Sequence, residues 1–248
     1  MRAVGVIPAR YGAQRFPGKP LAPIAGRSMI QRVYEGASRA KTLSRVVVAT
    51  DDERIAAACA DFGAEVAMTR ADHPSGTDRI AEVASGLDAD AVVNIQGDEP
   101  LIEGFVVDAA VEALAADPEA PMGTVVHPAG PGAADDPNRV KVVLDRAGRA
   151  LYFSRSPIPY VRPGAPAPPL WQHVGLYVYR RDFLLRFPTL EPTPGELAEG
   201  LEQLRALEHG FAIRCAVVEG WEGIPVDVPE DVARVEARLA ETGTRAGG

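Results

Sequence analysis

Two cysteines, Cys59 and Cys215, are all that this 248-residue chain holds, so no disulfide framework braces it and a reducing compartment is expected. Cys59 falls on the apolar stripe of a predicted helix, a place for core filler rather than a nucleophile. No stretch reaches the ~18 apolar residues of a membrane span, and the N-terminus lacks a charged segment followed by a long apolar run. A soluble, cytoplasmic protein is therefore expected. Positive charge is in deficit: 26 Lys and Arg against 34 Asp and Glu leave a net charge of −8, which argues against broad affinity for nucleic acid or anionic membrane. The four histidines, His73, His127, His173 and His209, are scattered without zinc-ligand spacing. No G-x-S-x-G elbow is present for a serine nucleophile. These absences point to metal-assisted rather than covalent chemistry.

What is present is ordinary in bulk and specific in pattern. A chain of this length buries about 70–75% of its unfolded surface and needs no disulfide or structural metal. Short apolar runs at Ala3–Ile7, Val46–Ala49 and Ala91–Ile95 read as buried parallel strands, with a weaker one at Glu65–Met68. Helical stripes fall between them: Ile30, Val33, Ala37; Ile55, Cys59, Phe62 with Gly63 as the C-terminal cap; Ile80, Val83, Leu87. This alternation predicts an α/β fold, a three-layer α/β/α sandwich with a mostly parallel Rossmann-like sheet. Beyond residue 128 the pattern loosens. Pro128–Pro137 reads as a loop, 140–144 and 150–153 as a hairpin, and proline-dense Pro157–Pro169 as no central strand. Val174–Tyr179 and 212–218 are predicted strands. Leu197, Leu201 and Leu204 suggest one helix, and Val232, Val235 and Leu239 another that closes the chain. One domain over 1–248 with a lobe inserted at about 128–210 is the expected organisation.

Three segments carry candidate chemistry. The loop after the first strand holds Arg10, Arg15 and Lys19 between glycines and prolines. Ligands of open α/β sheets bind at that end of the strands, and cations there suit a polyphosphate. The loop is neither a G-x-G-x-x-G turn nor a Walker A motif, since five residues separate Gly12 from Gly18 and Pro20 stands where Ser or Thr belongs. Gln96, Asp98 and Glu99 follow the 91–95 strand; a carboxylate there suits Mg²⁺ beside phosphate, or serves simply as a turn aspartate. Asp227 is a second candidate ligand, or else the N-cap of the final helix. In His73-Pro-Ser-Gly-Thr-Asp-Arg79, Ser75 and Thr77 either cap a helix or, with Gly76, receive a base or phosphate at its N-terminus.

Pro8-Ala-Arg-Tyr11 with Phe16-Pro-Gly-Lys-Pro-Leu21 looks like the signature loop of sugar-activating nucleotidyltransferases. It is followed in order by 73–79, Gln96-Gly-Asp-Glu-Pro100, Ala150-Leu-Tyr-Phe-Ser-Arg155, His173-Val-Gly-Leu-Tyr177 and Leu201-Glu-Gln-Leu-Arg205. The set resembles the 3-deoxy-manno-octulosonate (Kdo) cytidylyltransferase family, from about residue 4 to 240.

That resemblance implies a nucleotide-diphospho-sugar-transferase type of fold, and CTP and Kdo as substrates, giving CMP-Kdo for lipopolysaccharide synthesis. It further implies Mg²⁺ on Asp98 and Asp227, CTP held by Arg10, Arg15, Lys19, His73, Ser75, Gly76, Arg79 and Gln96, and catalysis by Arg10, Lys19, Asp98 and Asp227. Gln96, Arg155, His173, Tyr177, Glu202 and Gln203 would contact the sugar acid, with Arg155 either forking onto its carboxylate or serving a structural ion pair. A homodimer built through the inserted lobe is also implied. Two departures stand out: Ala13-Gln14 where the family usually has Ser-Thr, and Val228 where Thr is common. Rival readings are a cytidylyltransferase for 8-amino-Kdo or sialic acid, a catalytically silent nucleotide-binding regulator, and an NAD-dependent oxidoreductase.

Overall fold

The computed structural model describes residues 1–12 and 15–245, so Ala13-Gln14 lie outside the described residues. Strand β1 (Ala3–Ala9) is followed by a small hairpin, β2 (Pro23–Ile24) and β3 (Arg27–Ser28), then α1 (Met29–Ala37), β4 (Leu43–Thr50), α2 (Glu53–Asp61) and β5 (Glu65–Met68). Next come α3 (Gly76–Ser85), β6 (Ala91–Asn94), α4 (Gly104–Ala116), β7 (Met122–Pro128), β8 (Lys141–Leu144), β9 (Ala150–Ser154) and β10 (Trp171–Arg180). The chain ends with α5 (Arg181–Arg186), α6 (Pro194–Glu199), α7 (Gln203–Glu208), β11 (Ile213–Val217) and α8 (Pro229–Arg245).

The main sheet runs in the order β11-β7-β10-β6-β1-β4-β5, with β8 and β9 added at β10. Only β10 opposes its neighbours along that order; β11–β7, β6–β1, β1–β4 and β4–β5 are parallel. Residue alternation in β1 explains the layers. Ala3, Ile7 and Ala9 face α1, α2 and α4, whereas Val4 and Val6 face α3, α5 and α7. Both faces of the sheet are covered, as the continuous apolar runs require. The three-layer sandwich with a mostly parallel sheet is as the pattern predicts. Among the described residues no helix is long and apolar enough to cross a membrane.

The stretch 128–210 contributes in two ways. β8 and β9 pair as the expected hairpin, while β10 runs through the middle of the main sheet between β6 and β7. The single helix expected from Leu197, Leu201 and Leu204 is a correction: α6 and α7 are separate, and Leu197 is 72% exposed. Thr193 and Glu196 form a capping box that starts α6, and Gly200, in the left-handed region at φ 61°, ends it after six residues. Leu201 and Leu204 alone are buried.

Candidate active site

Every candidate segment lies at the carboxyl ends of the central parallel strands. The basic loop follows β1, Gln96–Glu99 follow β6, and 73–79 form the entry to α3, which packs against β1. Backbone proximity holds them together: a Cβ on Gly97 would stand 3.0 Å from the Pro8 carbonyl oxygen, and one on Gly76 would meet the Pro8 ring at 3.4 Å. The result is a cavity of about 220 Å³ lined by Pro8, Arg10, Lys19, His73, Ser75, Gly76, Arg79, Gln96 and Asp98. A second cavity of about 350 Å³ lies beside it, between β10, α7 and the 221–225 segment. His173, Tyr177, Glu202 and Gln203 line that one, and Gln96 and Asp98 line both. Two compartments therefore meet at one amide and one carboxylate.

Opposite charges alternate across the junction. Lys19 Nζ is 3.0 Å from Asp98 Oδ2 and 3.6 Å from Asp227 Oδ1, and it also donates to the Val226 carbonyl at 2.8 Å. Arg15 reaches the same Asp227 oxygen at 3.0 Å. Asp227 does not cap α8; Asp231 accepts from the amides of residues 227 and 228 instead, at 3.0 and 3.1 Å, which leaves the Asp227 carboxylate to the cations. Asp98 and Asp227 thus lie within reach of one cation. Among the described residues no third His, Cys, Asp or Glu joins them in a metal-holding group. A pair of carboxylates open to a polyphosphate is the donor set Mg²⁺ favours, since it takes few carboxylates and fills its shell with phosphate oxygens and water. Glu99, next in sequence, is pushed up to about 8 by burial and by the charges of Asp98 and Asp227. Its Oε2 is buried without a hydrogen-bond partner.

The residues of the first cavity are braced from behind. The His73 imidazole pairs through Nε2 with Glu82, and that bond holds the Glu82 carboxyl below its ordinary range. Arg79 is 4% exposed and pairs with Asp51 at 3.0 Å, with a further bond to Thr69, so its fork is fixed between the ends of β4 and β5. Ser75 caps α3, accepting from the Asp78 amide at 3.1 Å, which is one of the two roles open to it from sequence. Tyr11 anchors the basic loop: its ring stacks under the Arg54 guanidinium at 3.3 Å and lies 3.2 Å from where a Gly18 Cβ would stand.

In the second cavity β10 carries a bulge between Val174 and Tyr177. Thr124 stitches it, donating to the Leu176 carbonyl at 2.7 Å and accepting from His173 Nε2 at 3.0 Å. Burial pulls the His173 imidazole down to about 3, so it is a neutral hydrogen-bonding ring. The Tyr177 hydroxyl donates to Gln203 Oε1 at 3.0 Å, leaving the Gln203 amide nitrogen buried and without a partner. Arg155 lines neither cavity. Its guanidinium is drawn instead to the carbonyls of Glu199 at 2.6 Å and Pro137 at 2.9 Å.

The family model described as Cytidylyltransferase matches residues 4–215. A 3-deoxy-manno-octulosonate cytidylyltransferase of Syntrophotalea carbinolica is 55% identical over 96% of this chain and 99% of its own length. Another, of Solibacter usitatus, is 54% identical over 94% of this chain and 93% of its own. The chain belongs to the 3-deoxy-manno-octulosonate cytidylyltransferases. The solved structure of a CMP:2-keto-3-deoxy-manno-octonic acid synthetase complexed with CTP superposes with a TM-score of 0.92 at 45% identity, covering 98% of this chain and 100% of that one.

Within this cytidylyltransferase, sequence reasoning passed over Glu82, Asp51, Thr124 and Trp221. Asp51 carried a signal, since it follows a buried strand at the ligand-binding end. Glu82 and Thr124 carried none, because both sit inside regular elements and act through contacts across the fold. Trp221 lines the second cavity and donates to the Leu101 carbonyl at 3.1 Å.

Proposed function

We propose that this protein transfers a cytidylyl group from CTP to 3-deoxy-D-manno-octulosonate, releasing pyrophosphate and CMP-Kdo for lipopolysaccharide synthesis. The observation that carries this reading is the pair of adjoining cavities that share Gln96 and Asp98, one lined by cations and a helix N-terminus, the other by amides, a neutral imidazole, a phenol and the Glu202 carboxyl. The anomeric hydroxyl of the sugar acid would enter from the second cavity and attack the α-phosphorus, in line with departing pyrophosphate. Transfer of this kind needs positioning and charge stabilisation more than covalent help.

Arg10, Arg15 and Lys19 receive the charge that builds on the leaving pyrophosphate. Ser75, Gly76 and Arg79, with His73 held by Glu82, form the wall against which the nucleoside is placed. Asp98 and Asp227 would hold Mg²⁺, which supplies charge neutralisation on phosphate oxygens and acidifies a hydroxyl bound to it. His173, Tyr177, Glu202 and Gln203 orient the sugar acid, with the free Gln203 amide as a donor for one of its oxygens. Arg155 acts on that cavity from its rim by fastening Pro137 to Glu199. The protein works in the cytoplasm as a homodimer assembled through the 128–210 region. The exposed apolar side chains of Leu151, Tyr152 and Tyr160 there support that assembly.

A screen of pyrophosphate release with four nucleoside triphosphates against a panel of 2-keto sugar acids tests the reading. Turnover with CTP and Kdo above all other pairs is the expected result. Preference for sialic acid or 8-amino-Kdo overturns the acceptor assignment, and no turnover with any pair overturns the enzymatic one.

A further inference from the structure

Thr77 lies inside the nucleotide-side motif, yet its hydroxyl is turned toward the other cavity. It is 3% exposed and lines neither compartment, although Gly76 and Arg79 on either side of it line the nucleotide cavity. Its Oγ1 donates to Glu202 Oε2, across 125 residues of sequence. That bond pins the start of α3 to the start of α7. Glu202 is the N-cap residue of α7 and lines the second cavity.

Among the described residues, the side-chain hydrogen bond to Glu202 comes from Thr77. Arg205 stands 4.0 Å away, with its Nε and one terminal nitrogen on Glu196 at 2.8 and 2.5 Å. Ser75, which also approaches Glu202, places its one proton on Asp78 Oδ2 at 2.5 Å. Thr77 is therefore the donor that sets where the Glu202 carboxylate points. A fixed Glu202 in turn fixes its neighbour Gln203, whose Oε1 meets Tyr177.

We infer that Thr77 is a positioning residue for the acceptor cavity, not a nucleotide contact, and that it orders Glu202 and Gln203 for the sugar acid. The inference rests on the reading that this cavity takes Kdo. It predicts a split between the two substrates. Without the hydroxyl, Glu202 can turn away from the acceptor, while the Gly76 and Arg79 contacts to the nucleotide keep their places.

The test is Thr77→Val, which keeps shape and removes the hydrogen bond, assayed with CTP and Kdo varied separately. CTP binding is measured alongside by calorimetry in the absence of acceptor. The KM for Kdo should rise roughly tenfold or more, the scale of a lost hydrogen bond to a charged group. CTP affinity should stay as in the wild type, and Thr77→Ser should restore the Kdo KM. Thr77→Ala, which removes the same hydroxyl without branching at the site, must reproduce the pattern if the valine variant folds poorly. An unchanged KM for Kdo in both variants, a parallel loss of CTP affinity, or failure of serine to rescue overturns the inference. A wild-type protein inactive with this substrate pair overturns the substrate reading first, before any variant is compared.

Discussion

Lys19 Nζ sits between two carboxylates, 3.0 Å from Asp98 and 3.6 Å from Asp227, and so joins the end of the basic loop to strand β6 and to the segment before α8. Asp98 and Asp227 are 129 positions apart in the chain and meet around Lys19 only because the fold brings the loop after β6 and the segment before α8 together. The same atom that neutralises them in this geometry would serve a phosphate oxygen when nucleotide and metal compete for its partners.

Asp98→Asn is expected to abolish Mg²⁺-dependent pyrophosphate release with CTP and Kdo. The fold should survive, since the side chain is partly exposed and an amide fills the same space. Chelation of divalent cations should silence the wild-type protein, and added Mg²⁺ should restore it. Near-wild-type turnover by the variant, with an unchanged melting temperature, would remove Asp98 from the metal site.

Lys19→Ala should lower kcat/KM by roughly 10²–10³, the scale on which a charge-stabilising donor contributes to a transition state. Steady-state kinetics with CTP varied checks this. An unchanged value would mean that the ammonium serves only to hold Asp98 and Asp227 together.

Burial places His173 at about 3 against an ordinary 6.5. Between those values the unfolded chain binds a proton that the folded one refuses. Stability therefore falls as pH drops from about 6.5 toward 3, and above 6.5 this residue adds no pH dependence. Thermal melts across that window should show a steeper acid loss for the wild type than for His173→Gln. Parallel curves would show that the ring is solvated.

Both thiols should resist modification. Burial raises Cys59 to about 11 and Cys215 to about 12, and each side chain is packed in a core cluster. A colourimetric thiol assay should find no fast-reacting group in the native protein and two after denaturation. Rapid labelling of the native chain would contradict their role as filler.

Much of the fold was legible because its signals are local. The period-two and period-3.6 runs of the first half become β1 to α3 with small changes at the ends, and the 140–153 hairpin forms where its turn residues put it. The leucine stripe at 197–204 misled, since Gly200 adopts a left-handed conformation and divides one apparent helix into two. The order β11-β7-β10-β6, with β10 reversed in the middle of the sheet, was not readable, because strand pairing depends on contacts far apart in sequence. The site divides the same way. Arg10, Lys19, Asp98 and the 73–79 motif announce themselves by charge and by position after a strand. Glu82, Asp51, Thr124 and Thr77 act through partners that only folding supplies.

The sequence by itself determined the class of the molecule: an acidic, disulfide-free α/β chain with a cationic loop after its first strand and carboxylates after a later one. Those properties are set by composition and by near neighbours along the chain. Tertiary structure alone decided that Asp98 and Asp227 share one cation and that Asp231, not Asp227, caps the last helix. It also decided that Arg155 spends its guanidinium on backbone carbonyls and that Thr77 bonds to Glu202 rather than into the first cavity. Each of these is a choice among competing hydrogen-bond partners. Such choices are made by distance and burial in the folded chain, which no local pattern encodes.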